Sequence, residues 1–338
     1  MITDVELAHL GSLNKVAFSK LGAINLVLGG NGSGKTFLLK AMYASLKALE
    51  GYKRGAEYKS FDDLLVEKLH WTFQAEKIGD LVTKGQTEDL IFTMKLDKQR
   101  LIYSFDKKAS SKIGSVHNPC AERTSNSIFL PAKEVLSLHP IIKKTREDDK
   151  VFGFDNTYYE LAQVLDRKTT QGNNAAFADA RKQLEKQLGG RLKTDEHSAT
   201  NKWYFKQGNH RYPMGVTSEG IKKLAILDTL LGNGYLSKGS IVFIDEPESG
   251  LHPKAIAKLL DIILILSETG IQFFMATHSY FVVQKLYLLS LQHKVSIPCL
   301  SLNDDGTFQQ SDFIEGMPDN DIIDESVELY KQSIGIAP

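Results

Sequence analysis

Three short stretches carry side chains that could do chemistry together. The first is Gly29-Gly30-Asn31-Gly32-Ser33-Gly34-Lys35-Thr36, which fits G-x-x-x-x-G-K-[ST] without a mismatch. Glycines at Gly29, Gly30, Gly32 and Gly34 let the backbone curl with its N–H groups inward, a nest for phosphate oxygens. Lys35 is spaced to reach β- and γ-phosphates, and the Thr36 hydroxyl to sit on Mg²⁺. The second is Asp245-Glu246, placed directly after the apolar run Ile241 to Ile244. Carboxylates at the C-terminal end of a buried strand stand where ligands gather on a parallel sheet. Asp245 is the candidate for the cation shell, and Glu246 for orienting or deprotonating a water. The third is His278, at the end of the run Ile271 to Thr277, where it could donate a hydrogen bond to a γ-phosphate.

These residues need elements to hold them. Ala23 to Leu28 is a short, branched apolar run and predicts a buried strand before the glycine loop. After Thr36, Leu38, Met42, Leu46 and Leu49 fall on one helical face. That helix aims its positive end at the same phosphate position. Ser240 to Ile244 and Ile271 to Thr277 predict two more core strands, with a helix opening at Pro253 and facing inward through Ile256, Leu259, Leu260 and Ile263.

The rest of the chain reads in order. Val5 to Leu10 and Asn14 to Phe18 predict a first strand and a return, and Glu50 to Lys59 a loop. Strand periodicity is expected between His70 and Ile113, with a hairpin of Asp89 to Leu96 and Arg100 to Phe105. Ser110 to Ser127 reads as loop, and Ser127 to Leu130 as a buried strand stopped by Pro131. Leu136 to Leu192 reads as helical, with a turn over Lys168 to Asn174 and a stop at Gly189-Gly190. A hairpin follows around Gln207-Gly208-Asn209, and beyond His278 another around Asp304-Asp305-Gly306 before a last helix, Ile322 to Gln332.

Composition narrows the class. The chain has 338 residues, 42% apolar and 24% charged, with zero formal net charge. Those values suit a globular protein and supply no overall positive field for nucleic acid. Basic residues gather in the middle third (Lys143, Lys144, Arg146, Arg181, Lys182, Lys186, Arg191, Lys193) but acidic neighbours dilute them, so a solvated surface is expected. Cys120 and Cys299 lack metal-ligand spacing and read as reduced thiols. With no secretory leader and no membrane-length apolar run visible, a cytoplasmic protein is expected.

The order of glycine loop, Asp-Glu-Pro-Glu-Ser-Gly-Leu-His-Pro (Asp245 to Pro253) and Ala-Thr-His-Ser (Ala276 to Ser279) resembles the ABC-type ATPases of the RecF, OLD and SMC branch. It is similar to their compact AAA-15 and AAA-21 members. The resemblance implies an α/β P-loop NTPase of ABC type, with a RecA-like mixed sheet, an antiparallel β subdomain and a short helical insertion. It also implies ATP and Mg²⁺ as ligands, and a signature motif, for which Thr217-Ser218-Glu219-Gly220-Ile221-Lys222-Lys223 stands in the matching place. By that resemblance Ser218 and Gly220 cap the γ-phosphate bound to a second copy, so a homodimer or higher oligomer forms through an ATP-bridged interface. The residues agree, because Ser218 suits an N-cap and a helix N-terminus attracts anions. The glutamine that many ABC proteins carry between P-loop and signature is absent; Leu130-Pro131-Ala132-Lys133-Glu134 occupies that region, with Lys133 and Glu134 as candidates for its contact. His252 stands where transporters often carry aspartate, as in the OLD-like branch.

One composite ATPase domain is expected. Residues 1–135 form a lobe with the P-loop and the β subdomain, 136–216 an insertion, and 217–338 a lobe with signature, Walker B carboxylates and switch histidine. The stretch from Lys133 to Ser218 is too short for the long coiled coil of an SMC protein, and the residues after His278 too few for a Toprim nuclease. The resemblance therefore implies an ATPase subunit of a prokaryotic anti-phage defence system, in the style of Septu or PARIS, working with a nuclease or toxin on another chain. The alternative is a RecF-like repair ATPase that clamps duplex DNA, against which the neutral charge stands. A transporter nucleotide-binding subunit is disfavoured by the OLD-style Glu248 to Pro253 run.

Overall fold

The structure is a computed structural model and describes residues 1–52, 59–85, 87–168, 177–195, 203–303 and 305–336. In chain order it contains β1 (Ile2–Leu10), β2 (Leu13–Phe18), β3 (Ile24–Gly29), α1 (Lys35–Gly51), α2 (Phe61–Phe73), β4 (Leu90–Leu96), β5 (Gln99–Phe105), β6 (Ser115–His117) and β7 (Ser127–Leu130). Next come α3 (His139–Glu147), α4 (Asn156–Leu165), α5 (Ala178–Leu188), β8 (Arg191–Thr194), β9 (Trp203–Gln207), β10 (His210–Pro213) and α6 (Glu219–Gly232). The last third holds β11 (Ile241–Asp245), α7 (Pro253–Glu268), β12 (Gln272–Thr277), α8 (Tyr280–His293), β13 (Pro298–Leu302), β14 (Phe308–Asp312) and α9 (Asp321–Ile336).

A six-stranded sheet in the order β14-β13-β3-β12-β11-β7 forms the centre. It is parallel except at β14, which pairs antiparallel with β13. Its inner strands are apolar on both faces, as expected of parallel strands covered on both sides. Ile24, Leu26, Leu28, Val242, Ile244, Phe273 and Met275 join a core with the helices of one face. The alternate residues Val27, Ile241, Phe243, Phe274 and Ala276 join a second core with α1 and the five-stranded antiparallel sheet β2-β1-β4-β5-β6. This period of two lets one sheet bind two layers. The mixed sheet and the separate antiparallel sheet match the fold the sequence implied.

Two helices were not foreseen. α2 runs on through His70 to Phe73, where strand periodicity was expected to start; the strands in fact begin at Leu90. Ser60 caps it by accepting the Asp63 N–H at 3.1 Å, with Asp62 and Asp63 in the first turn. α8 is apolar along most of its length, so no single stripe reveals its period. The stretch read as helical also breaks between α3 and α4, and β8 follows the Gly189 stop to make a three-stranded sheet β10-β9-β8. Most of the loops expected over Glu50 to Lys59 and Lys168 to Asn174 lies outside the described residues, as does Asp304.

Candidate nucleotide site

The C-terminal ends of β3, β11 and β12 bring the three stretches to one edge. Gly29 closes β3 with φ 153°, and a Cβ there would lie 2.5 Å from the Leu302 carbonyl oxygen. Gly34, at the N-cap of α1, has φ 96°, and a Cβ would meet Leu13 at 2.5 Å. No other residue type fits either position without moving its neighbour. Lys35 Nζ donates to the carbonyls of Gly29 at 2.8 Å and Gly30 at 2.6 Å, holding the loop curled. The Ser33 hydroxyl is buried within the loop with no hydrogen-bond partner. An orphaned buried hydroxyl is costly unless a ligand satisfies it, and a phosphate oxygen would.

Thr36 meets Asp245 across 209 positions of sequence. Its hydroxyl lies 3.0 Å from both carboxylate oxygens of Asp245. Burial pushes the Asp245 carboxyl up to about 6, with the Glu246 charge adding to it and the Thr36 bond opposing it. Hard oxygen donors of this kind suit Mg²⁺, which takes one or two protein carboxylates and completes its shell with substrate phosphates and water. Among the described residues no group of three or more His, Cys, Asp or Glu could hold a metal by itself. Thr36 and Asp245 would therefore hold Mg²⁺ jointly with a bound triphosphate, where it would neutralise charge on the phosphates.

Glu246 departs from the strand with φ 48°, and its N–H donates to the Ala276 carbonyl at 2.9 Å. This turn sets its carboxylate 3.5 Å from His278 Nδ1. Left-handed backbone at a bulky residue is uncommon and persists where surroundings impose it. Here Lys223 of α6 donates to the Glu246 carbonyl at 3.1 Å, and the Ser249 N–H donates to the same oxygen at 2.9 Å.

Residues 24–284 match the family described as "AAA domain, putative AbiEii toxin, Type IV TA system". The chain belongs to this family. Over 94 residues the AAA-domain chain is also 31% identical to the arginine transport ATP-binding protein ArtP of Haemophilus influenzae; that match spans 37% of the transport protein's length. Among solved structures it resembles an SMC head bound to the C-terminal winged-helix domain of ScpA (TM-score 0.52, 15% identity, covering 92% of this chain and 97% of that one). It also resembles the SMC head with an extended coiled coil, bound to the C-terminal domain of ScpA, from Pyrococcus furiosus (TM-score 0.50, 12% identity, covering 98% of each). The fold of this AAA-domain protein is thus shared with SMC heads, a mixed α/β P-loop architecture.

Several parts of the AAA-domain site escaped the sequence reading. Glu248 ties the segments after β11 and β12 together: its Oε1 accepts the Thr277 hydroxyl at 2.6 Å and the His278 N–H at 3.3 Å. Lys40 lies close enough to Asp245 to favour its ionised form, and itself pairs with Asp155 at 2.7 Å. Beside the P-loop, Ser12, Leu13, Asn31, Asn303 and Thr307 line a groove of about 250 Å³. The repeated Glu in Asp-Glu-Pro-Glu was the one visible signal; the rest come from distant segments. Glu134 is already engaged, by the Ser137 N–H at 2.9 Å and by Lys222 at 3.5 Å, and Lys133 is exposed.

Ser218 stands at the N-cap of α6, exposed, but its hydroxyl makes no capping bond. Gly220 packs against Ala255, where a Cβ would approach to 3.3 Å. Among the described residues no hydrogen bond or ion pair joins Ser218 or Gly220 to the P-loop. His252, by contrast, caps α7 by accepting the Lys254 N–H on Nδ1 at 3.2 Å. No helix among the described residues is long and apolar enough to cross a membrane.

Proposed function

We propose that this chain hydrolyses ATP at composite sites formed between two copies of itself. The observation that carries the reading is the meeting of Thr36, Asp245, Glu246 and His278 at one sheet edge, while the exposed Ser218 side chain makes no hydrogen bond to it among the described residues. Gly29, Asn31, Gly32, Ser33, Gly34 and Lys35 would cradle the phosphates. Lys35 would release the two loop carbonyls and turn its charge to the β- and γ-phosphates. Glu246 would take a proton from the attacking water, and His278 would hold the γ-phosphate. Ser218 and Gly220 of the other copy would close the site with their helix N-terminus. In this reading 1–135 and 217–338 make one composite ATPase domain, with 136–216 inserted.

For the biological role we favour a sensor or scaffold subunit of an anti-phage defence complex, with its nuclease or toxin on another chain. The toxin–antitoxin wording of the family description supports a two-component system. The clamp alternative needs a basic saddle. Several candidates for one are neutralised: Lys143 pairs with Asp166 at 2.9 Å, Arg181 with Asp228 at 3.0 Å and Arg191 with Glu185 at 2.5 Å.

The test is mass in solution for Glu246→Gln. Loss of a general base should slow turnover by roughly 10²–10⁴-fold while leaving ATP bound. ATP should then trap a dimer that ADP does not, and adding Ser218→Arg should abolish the gain. Equal association under all three conditions, with ATPase activity intact in Ser218→Arg alone, would rule the composite site out.

A further inference from the structure

The ATPase reading makes no use of α9. Its start is well held: Asn320, itself buried, accepts the Ile322 N–H on its side chain at 3.0 Å and the Ile323 and Asp324 N–H groups on its carbonyl. Ile323 packs, partly buried, against the core. Beyond that first turn the helix stands clear. Val327, Tyr330 and Ile334 are 38%, 67% and 58% exposed. Ile323, Val327, Tyr330 and Ile334 recur at spacings of four, three and four, the d-a-d-a pattern of a coiled-coil seam. A helix with such a stripe gains stability by burying it against a matching one.

We propose that α9 pairs antiparallel with the α9 of a second copy of this chain. Charge selects both occupant and direction. The e positions beside the seam hold Asp324 and Lys331, both exposed and, among the described residues, without an ion pair inside the chain. The g positions hold Ser326 and Ser333, whose hydroxyls bond to their own helix carbonyls at Ile322 and Tyr330. In an antiparallel pair, e faces e. When Val327 meets the second copy's Tyr330, and Ile323 its Ile334, Asp324 falls opposite the second copy's Lys331, and the twofold axis makes that contact twice. A shift of one heptad sets Lys331 near its own symmetry mate instead. Parallel pairing sets Ser326 near Lys331 and brings no opposite charges together. Four seam residues per helix bury less than the roughly 1,200 Å² of a standard interface, so the contact is weak and reversible. It needs no nucleotide.

The experiment is sedimentation equilibrium of the full chain up to about 100 µM, without nucleotide and with a chelator, for wild type, Asp324→Lys, Lys331→Glu and Tyr330→Asp. Wild type should self-associate, and Tyr330→Asp should be monomeric. Each charge variant alone should associate on the order of tenfold more weakly, since two attractions become repulsions. An equimolar mixture of the two charge variants should recover wild-type affinity, because both ends of the mixed pair then carry opposite charges. Loss of helix in either variant cannot produce that recovery. A monomeric wild type, unchanged charge variants, or a mixture no stronger than its components would each overturn the pairing.

Discussion

Helix α1 has two ends that treat charge in opposite ways. At its N-terminal end, burial raises Asp245 to about 6, and the nearby lysines do not offset it. Ser33 lacks a partner there. At its C-terminal end, Glu160 is more deeply buried than Asp245 but stands at about 2: burial pushes it up, and Lys47 and Lys68 more than reverse that. Lys68 donates to Glu160 at 2.6 Å, Asn156 at 2.7 Å and the Tyr43 hydroxyl at 2.5 Å, with Lys47 at 3.6 Å. Both ends hold a carboxylate and lysines. One network is closed within the chain; the other has donors and acceptors left for a ligand. Buried charge at a structural position is satisfied internally, whereas a functional position keeps unmet capacity.

The sharpest test removes a cation from the open end. Lys35→Ala should lose ATP binding and turnover below detection while thermal stability changes little, because the hydrogen bonds it makes to the Gly29 and Gly30 carbonyls hold a loop and not the core. Calorimetric titration with ATP beside a melting curve checks both halves; unchanged affinity would remove the functional reading of that end.

The matching change at the closed end should do the reverse. Glu160→Ala leaves the half-buried Lys47 and Lys68 without their shared carboxylate, and the buried Tyr43 hydroxyl and Asn156 amide without their acceptor, and should cost about 3–5 kcal/mol of stability. Urea unfolding measures the loss, and ATP affinity of the folded fraction should persist. Because the native carboxyl stands below its ordinary value of 4.5, its contribution is present above that pH and is lost as pH falls toward 2. An undiminished urea midpoint would mean that the network is not structural.

The smallest effect concerns protons at the open end. The Asp245 carboxyl binds its proton more tightly folded than unfolded, so its ionisation disfavours folding as pH rises from 3.8 through about 6. Cation binding needs the ionised form. The Mg²⁺ concentration for half-maximal ATP turnover should therefore rise about tenfold per pH unit below 6 and level off above it. A flat profile would mean that no proton competes with the cation there, and one that Asp245→Asn leaves in place would assign the proton to another group.

Much of this was readable before any coordinates. The P-loop, its strand and its helix are local: the glycines, the branched run and the four-residue spacing lie within about thirty positions, and each follows from backbone sterics or helical period. β7 was bounded at Ser127 and Leu130 because Pro131 cannot continue a ladder. α8 was missed for the converse reason, since a segment apolar on nearly every side carries no period.

By itself, then, the sequence determined which side chains could do the chemistry, and it did so through short-range spacing. Tertiary structure decided which of them meet. Parallel strand order sets β12 between β3 and β11, bringing Thr36 to Asp245 across 209 positions and Glu248 to the Thr277 hydroxyl across 29. It also decided that Glu134 is spent on Ser137 and Lys222, and that the apolar stripe of α9 is left outside the core. Spacing along a chain reports the face of an element; only packing of the elements reports what that face meets.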